Sequence, residues 1–172
     1  MRAPSAGTRY SRFPLLIEDD KQNGMSAKKA GKIAKNAYRL EDQVGHLLRR
    51  AHQRATAIFL ERLNDADITP TQFAALAKLA DEGELSQNHL GRLTAMDPAT
   101  IQGVTRRLRA RGLIAGRADP KDGRRTLLRL SATGVRLAKR VIPKGFGVSE
   151  GVLAPLSQAE QKRFLGLLKR LT

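Results

Sequence analysis

The sequence predicts a mainly α-helical chain with one small β-hairpin, in which two short helices joined by a tight turn precede that hairpin. From position 40 onward, apolar residues recur at three- and four-residue steps, which is typical of amphipathic helices. Ser, Thr or Asp stands at the expected start of several of these helices, as helix capping requires. Between 113 and 130 the period changes to alternation around a turn-rich segment, which indicates a hairpin.

The first helix is predicted within residues 38–68, because an apolar stripe runs from Leu40 to Leu63. Residues 1–37 are polar and rich in Gly, Ala, Ser and Lys, so we expect a mostly disordered, basic tail. Thr69-Pro70-Thr71-Gln72 supplies an N-cap, a proline at the first helical position and a capping-box glutamine, and this motif opens a second helix.

The next two helices form a predicted helix-turn-helix. Ser86 caps a helix that ends near Leu93, and Asp97 caps a longer helix over 98–111. Gly112 stands where a left-handed residue closes a helix. The two N-caps and the terminating glycine therefore independently predict two helices joined by a short turn.

The hairpin is predicted from strands at 113–118 and 126–130, with the turn residues Asp119-Pro120-Lys121-Asp122-Gly123 between them. Arg124 and Arg125 follow that turn and make its tip strongly basic.

Two helices are predicted in residues 132–172. Ser131 caps the first, which we expect Pro143 and the glycines up to Gly151 to break or kink. Ser157-Gln158-Ala159-Glu160 is a capping box that opens the second.

The formal net charge of +16 favours polyanion binding, and nucleic acid is the commonest cytosolic polyanion. Residues 96–131, which hold the second helix of the helix-turn-helix and the hairpin, carry nine basic and three acidic side chains. A merely solvated helix face is the alternative interpretation of such a cluster. The position of the arginines beside an arginine-tipped hairpin favours DNA instead.

Short and amide side chains near the start of the second helix can reach base edges, whereas arginines suit phosphates or guanine. Arg124 is the candidate for a minor groove, and Arg125 for a phosphate. A glycine inside this helix has two possible explanations, which are close approach of the Gly103 backbone to DNA and tight packing against a neighbouring helix. The predicted DNA contacts are Gln87, Asn88, Thr100, Gln102, Gly103, Arg106, Arg107, Arg124 and Arg125.

The segment Leu85–Gly134 resembles the winged helix-turn-helix of MarR-type bacterial transcription regulators, and Asp122-x-Arg124 followed by Leu128-x-Leu130-Ser131 is similar to their wing signature. The resemblance covers roughly residues 38–172. It implies a homodimer with intertwined terminal helices around a DNA-binding domain at 69–131. The family helix that corresponds to Pro143–Gly151 is usually continuous, so the predicted break departs from the pattern.

The terminal helices also predict dimerisation on physical grounds, because the last helix carries too broad an apolar stripe for one small domain to cover easily. The alternative is that these helices fold back on their own chain. The predicted interface residues are Leu40, Val44, Leu47, Phe164, Leu165 and Leu168.

The resemblance further implies a small, acidic, often aromatic effector, and the sequence is similar to the branch that governs nicotinate breakdown, whose effector is 6-hydroxynicotinate. His46 and Arg50 are one helical turn apart and could hold a carboxylate, with Arg49 and His52 beside them. The alternative is that these side chains are solvated or lie in an interface.

We predict a cytoplasmic, dimeric repressor that binds a pseudo-palindromic duplex, with no cofactor, metal or membrane partner. The sequence contains no cysteine and no HExxH, GxSxG or Walker motif, so an enzyme is disfavoured. The leading alternative is an architectural DNA- or RNA-binding protein without sequence preference, which would rely on net charge alone.

Overall fold

The computed structural model describes residues 38–123 and 126–172, so the predicted tail at 1–37 and the predicted contacts Arg124 and Arg125 lie outside the described residues. Within the described residues the order is α1 (Val44–Arg62), α2 (Pro70–Glu82), β1 (Leu85–Ser86), α3 (Gln87–Leu93), α4 (Pro98–Ala110), β2 (Ile114–Ala118), β3 (Thr126–Leu130), α5 (Ala132–Leu153) and α6 (Gln158–Leu168). Short 3₁₀ turns at Leu40–Asp42 and Asn64–Ala66 flank α1. The mainly α-helical prediction is confirmed.

Five of the six α-helices in the described part of the chain begin at the capping residue that the sequence indicates. Each cap oxygen accepts a hydrogen bond from the backbone N–H three residues later, as an N-cap does. The caps are Thr69, Ser86, Asp97, Ser131 and Ser157. Local sequence therefore fixes where these helices start.

The predicted hairpin is present, and it belongs to a three-stranded antiparallel sheet of order β1-β3-β2. Ile114 pairs with Leu130 across the hairpin, and Leu85 of the short strand β1 pairs with Leu128. Strand β1 was not predicted because two residues are too few to show alternation. The added strand fixes the hairpin to the turn that precedes α3.

The core lies where α2, α3, α4 and α5 meet, and the C-terminal end of α1 packs against it. Leu76, Leu90 and Leu108 are fully buried in this core. Phe59 of α1 contacts Phe73 of α2 edge to face, with ring centroids 5.5 Å apart. This core holds α4 in place from one side only.

Helix α5 runs unbroken through Pro143, so the predicted break at Pro143–Gly151 is wrong. The glycines serve close packing instead. A Cβ atom on Gly145 would lie 2.6 Å from Cζ of Phe73, and one on Gly151 would lie 3.1 Å from Cγ2 of Ile58. Contacts with α1 and α2 therefore outweigh the roughly 1 kcal/mol per glycine and 3 kcal/mol per proline that local propensity costs.

None of the helices within 38–123 and 126–172 combines the length and the apolar character needed to cross a membrane.

Candidate nucleic-acid interface

Helix α4 is buried along one side and exposed along the other. Ile101, Val104 and Leu108 pack into the core, and they recur at the three- and four-residue spacing of one helix face. The opposite face is exposed and carries Gln102 and Arg106, one turn apart. The core thus anchors α4 while its polar face remains accessible to a ligand as large as a duplex.

The start of α4 is fixed by Asp97. Its Oδ1 accepts from the Thr100 backbone N–H at 2.9 Å, and its Oδ2 accepts from the Thr100 hydroxyl at 2.5 Å. The hydroxyl hydrogen bond holds the pKa of Asp97 below its usual range. Thr100, a predicted DNA contact, therefore commits its hydroxyl proton to the cap.

Gly103 lies on the accessible side of α4. The three atoms nearest to a Cβ built at this position all belong to the Arg107 guanidinium, the closest at 3.4 Å. Tight packing against a neighbouring helix therefore has no supporting contact among the described residues. Close approach to DNA remains a prediction for this glycine.

Gln87 links α3 to α4. The Thr105 hydroxyl lies 2.9 Å from Oε1 of Gln87 and donates to it or to the Ile101 carbonyl oxygen at the same distance. Thr105 is buried, whereas Gln87 is half-buried and its neighbour Asn88 is exposed. Of the two predicted contacts on α3, Asn88 is the freer side chain, and Gln87 also orients the two helices.

A polar hollow of about 440 Å³ lies between α3, α4 and the sheet. Its lining residues are Ser86, Gln87, Asn88, Arg92, Arg109, Thr126 and Leu128. Neither Arg92 nor Arg109 has an acidic partner among the described residues. Both were missing from the predicted contacts, although Arg109 follows Gln102 by seven residues and therefore shares its face of α4.

Glu84 braces the hairpin. Its carboxylate accepts from Nε of Arg117 at 2.8 Å and also contacts Nη2 of the same residue, while Nη1 of Arg129 lies 3.8 Å away. The Arg117 hydrogen bond lowers the pKa of Glu84 and raises that of Arg117. One carboxylate at the α2–β1 turn thus contacts both hairpin strands.

The predicted effector residues lie along the N-terminal half of α1. His46 is half-buried, whereas Arg49, Arg50 and His52 are exposed. None of the four side chains makes a hydrogen bond or an ion pair within the described part of the chain. A single chain therefore does not assemble them into an enclosed site.

The predicted dimer residues form exposed apolar surfaces on α6, on α1 and on the 3₁₀ turn that precedes α1. Leu40, Val44, Leu47, Phe164 and Leu165 are between 40% and 66% exposed, and Leu168 is half-buried. Helix α6 buries none of its residues fully. Leu48, Leu167 and Leu171 extend the same kind of surface and were not in the predicted set.

Comparison with known proteins identifies the group to which this architecture belongs. The model of the MarR family matches residues 66–125. The HTH-type transcriptional repressor NicR of Pseudomonas putida is 40% identical over 134 residues, which are 78% of this chain and 85% of NicR.

Two solved structures share this fold. A Pseudomonas aeruginosa protein is 48% identical with a TM-score of 0.75, and the match covers 78% of this chain and all of that chain. BpsR of Bordetella bronchiseptica, whose DNA binding is regulated by 6-hydroxynicotinic acid, is 38% identical with a TM-score of 0.75 and coverage of 79% and 97%. These findings confirm the predicted resemblance and winged helix-turn-helix fold. The named relatives are regulators and not enzymes, as the sequence predicts.

Proposed function

We propose that this chain, which belongs to the MarR family, is a transcriptional repressor that binds a pseudo-palindromic operator as a homodimer. In this proposal residues 69–131 bind DNA, and residues 38–68 and 132–172 dimerise. A small aromatic acid releases the complex from its operator.

The exposed polar face of α4 is the observation that carries the proposal. A helix that is anchored in the core by one face and exposed to solvent on the other can enter a major groove as a rigid unit. Gln102 is the proposed base-reading side chain, and Arg106 is the proposed phosphate or guanine contact. Asn88, Arg92 and Arg109 border the polar hollow and are proposed to contact the DNA backbone.

Arg124 and Arg125 complete the proposed DNA contacts on the basis of sequence alone. They stand in the chain between β2 and β3, so the wing is proposed to bring them to a minor groove and an adjacent phosphate.

The dimer is proposed because the apolar faces of α1 and α6 are uncovered in one chain. Large exposed apolar patches on small soluble domains mark interaction sites, and a second copy presents the same faces. The effector class is supported by BpsR, which responds to 6-hydroxynicotinic acid. We use that acid as the first probe.

The proposal is tested by selecting bound duplexes from a random pool and footprinting the winner. We expect one symmetric sequence with half-site centres about 34–36 Å apart, and weaker binding when 6-hydroxynicotinate is added. Arg106→Ala should weaken binding to all duplexes. The slope of log affinity against log salt concentration should fall by about one, because one fewer counterion is released.

A pool that yields no preferred duplex and no symmetric footprint would overturn sequence-specific repression. That result would favour the architectural alternative, in which the net charge of +16 drives binding to any duplex or RNA.

A further inference from the structure

Strand β2 contains a glycine, Gly116, whose backbone conformation does not require one. The glycines with positive φ in the described part of the chain are Gly83 and Gly112. Gly116 pairs with Leu128 in the middle of the hairpin. A glycine weakens the interior of a strand, because it brings no side chain to pack and costs backbone entropy. The reason for this glycine therefore lies in its surroundings.

Two side chains occupy the space into which a side chain at position 116 would extend. A Cβ atom built on Gly116 would lie 2.8 Å from Nη2 of Arg109 and 2.9 Å from Cγ2 of Thr126. Both distances are well inside the separation at which non-bonded atoms attract each other. The Arg109 guanidinium thus lies against the bare backbone of β2, and only glycine leaves it that place.

This guanidinium lies between α4 and the hairpin and borders the polar hollow that also contains Arg92 of α3. No carboxylate in the described part of the chain pairs with Arg109. Arg117, the next residue of β2, differs because Glu84 accepts a hydrogen bond from it at 2.8 Å. Successive side chains of a strand point to opposite faces, so the face of β2 toward α4 keeps its cation available for an external anion.

The place of the guanidinium determines which part of a duplex it can meet. In B-DNA one sugar-phosphate strand separates each major groove from the adjacent minor groove. With α4 in the major groove and the hairpin at the minor groove, that strand passes between the two elements. Arg109 is the α4 side chain that reaches across to β2 at this point.

We propose that Gly116 is a positioning residue for DNA binding, because its bare backbone lets the Arg109 guanidinium lie where it contacts the phosphates between the two grooves. The inference rests on the proposed function, since it explains how one proposed backbone contact is oriented. A methyl group at position 116 displaces the guanidinium. The fold tolerates this, because the guanidinium is the free end of a flexible side chain.

The test is a fluorescence-anisotropy titration of the full chain with a labelled duplex at several salt concentrations. The variant is Gly116→Ala combined with Thr126→Ser, because serine lacks the Cγ2 atom that would also meet the new methyl group. Relative to Thr126→Ser alone, affinity at low salt should fall about fivefold or more. The slope of log affinity against log salt concentration should fall by about one, because one phosphate contact is lost.

Gly166→Ala is the matched control, because it adds the same methyl group at a position where no atom lies within 4 Å. Its affinity and its slope should equal those of the unaltered chain.

A double-mutant cycle separates positioning of Arg109 from a general disturbance of the sheet. In a chain that already carries Arg109→Ala, the substitution Gly116→Ala should change neither the affinity nor the slope, because no guanidinium remains to be displaced. An equal fall in slope with and without Arg109 overturns the inference, since the substitution then acts on the hairpin itself. An unchanged slope when Arg109 is present overturns it as well.

The unaltered chain offers a measurement that needs no folded variant. In its complex with the duplex, we expect a nuclear Overhauser effect between the α protons of Gly116 and the guanidinium protons of Arg109. If the assigned Arg109 signals of the complex show no such effect, the guanidinium leaves β2 on binding and the inference is wrong.

Failure of the inference and failure of the proposed function are distinguishable. The slope is measured on the selected operator, or on a duplex of arbitrary sequence if selection yields no preferred one. A slope that Gly116→Ala leaves unchanged on a symmetric operator removes the role of Gly116 and leaves the repressor. A slope lowered only in the presence of Arg109, in a chain that prefers no duplex, removes the repressor and leaves the positioning role.

Discussion

Helices α4 and α6 both present an exposed face, but the two faces differ in chemistry. On α4 the apolar residues are buried in the core and the exposed face carries amide and guanidinium groups. On α6 the apolar residues themselves are exposed, including Phe164 at 40% and Leu167 at 47%.

The difference shows what each face requires. Exposed charge is stable in water and attracts a polyanion, so binding through α4 should depend on salt. Exposed apolar area costs free energy until another apolar surface covers it. The proposal of DNA on one face and a second copy on the other follows from this contrast.

The largest expected effect comes from placing a charge on the apolar face of α6. Phe164→Asp should convert the proposed dimer to a monomer, because dimerisation would bury the new carboxylate. Affinity for a two-half-site operator should fall about 100-fold or more, since the two reading helices are no longer linked. Sedimentation velocity and operator titration measure the two effects.

Lys162→Asp introduces the same carboxylate on the opposite side of α6 and should leave the dimer intact. An unchanged dimer in Phe164→Asp would contradict the assignment of this face.

A smaller effect is expected on the polar face. Gln102→Ala should reduce discrimination at one base pair of each half-site by about 1–3 kcal/mol, because a side-chain contact with a base edge is lost. Competition titrations with single-base operator variants measure it. Gln53→Ala removes an exposed amide from α1 and is the matched control, and equal discrimination in the two variants would exclude base reading by Gln102.

Arg109→Ala should produce a smaller and sequence-independent effect. If Arg109 neutralises a phosphate, the slope of log affinity against log salt should fall by about one, with no change in preferred sequence. Arg163→Ala on α6 removes the same charge elsewhere and should leave the slope unchanged. A change in base preference with Arg109→Ala would assign it to the bases instead.

The smallest expected effect concerns the ion pair between Glu84 and Arg117, which holds the hairpin, and this effect depends on pH. The pKa of Glu84 is lowered in the folded chain by Arg117, so its contribution to stability is present above its ordinary pKa of 4.5 and is lost as pH falls through the folded value. The difference in unfolding free energy between the unaltered chain and Glu84→Gln should therefore shrink on acidification below pH 4.5.

Urea unfolding at several pH values measures this difference. Glu61→Gln removes an exposed carboxylate without an ion pair in the described residues and is the control. A difference for Glu84→Gln that stays constant down to pH 3 would show that the brace does not stabilise the fold.

Features governed by neighbouring residues were predicted well. Five helix starts depend on a cap and the backbone three residues later, and Gly112 adopts the positive φ of 64° that its position after α4 indicates. The alternation from Ile114 to Leu130 likewise indicated the hairpin. Each of these features depends on interactions between residues that are close together in the sequence, so the sequence alone was sufficient to predict it.

Features that depend on distant contacts were not predicted. Glycines in α5 indicated a break, yet Gly145 and Gly151 allow α2 and α1 to approach the helix. The pairing of Leu85 with Leu128 and the ion pair of Glu84 with Arg117 join residues more than thirty positions apart.

The sequence by itself therefore determined the helix boundaries, the hairpin, the basic character and the family, since each depends on short-range pattern or composition. Only the tertiary structure decided which arginines of α3 and α4 share the hollow beside the wing, and that Gly116 of β2 lies against the Arg109 guanidinium. Packing decides such neighbours, because burial of the core fixes how elements distant in sequence are oriented in space.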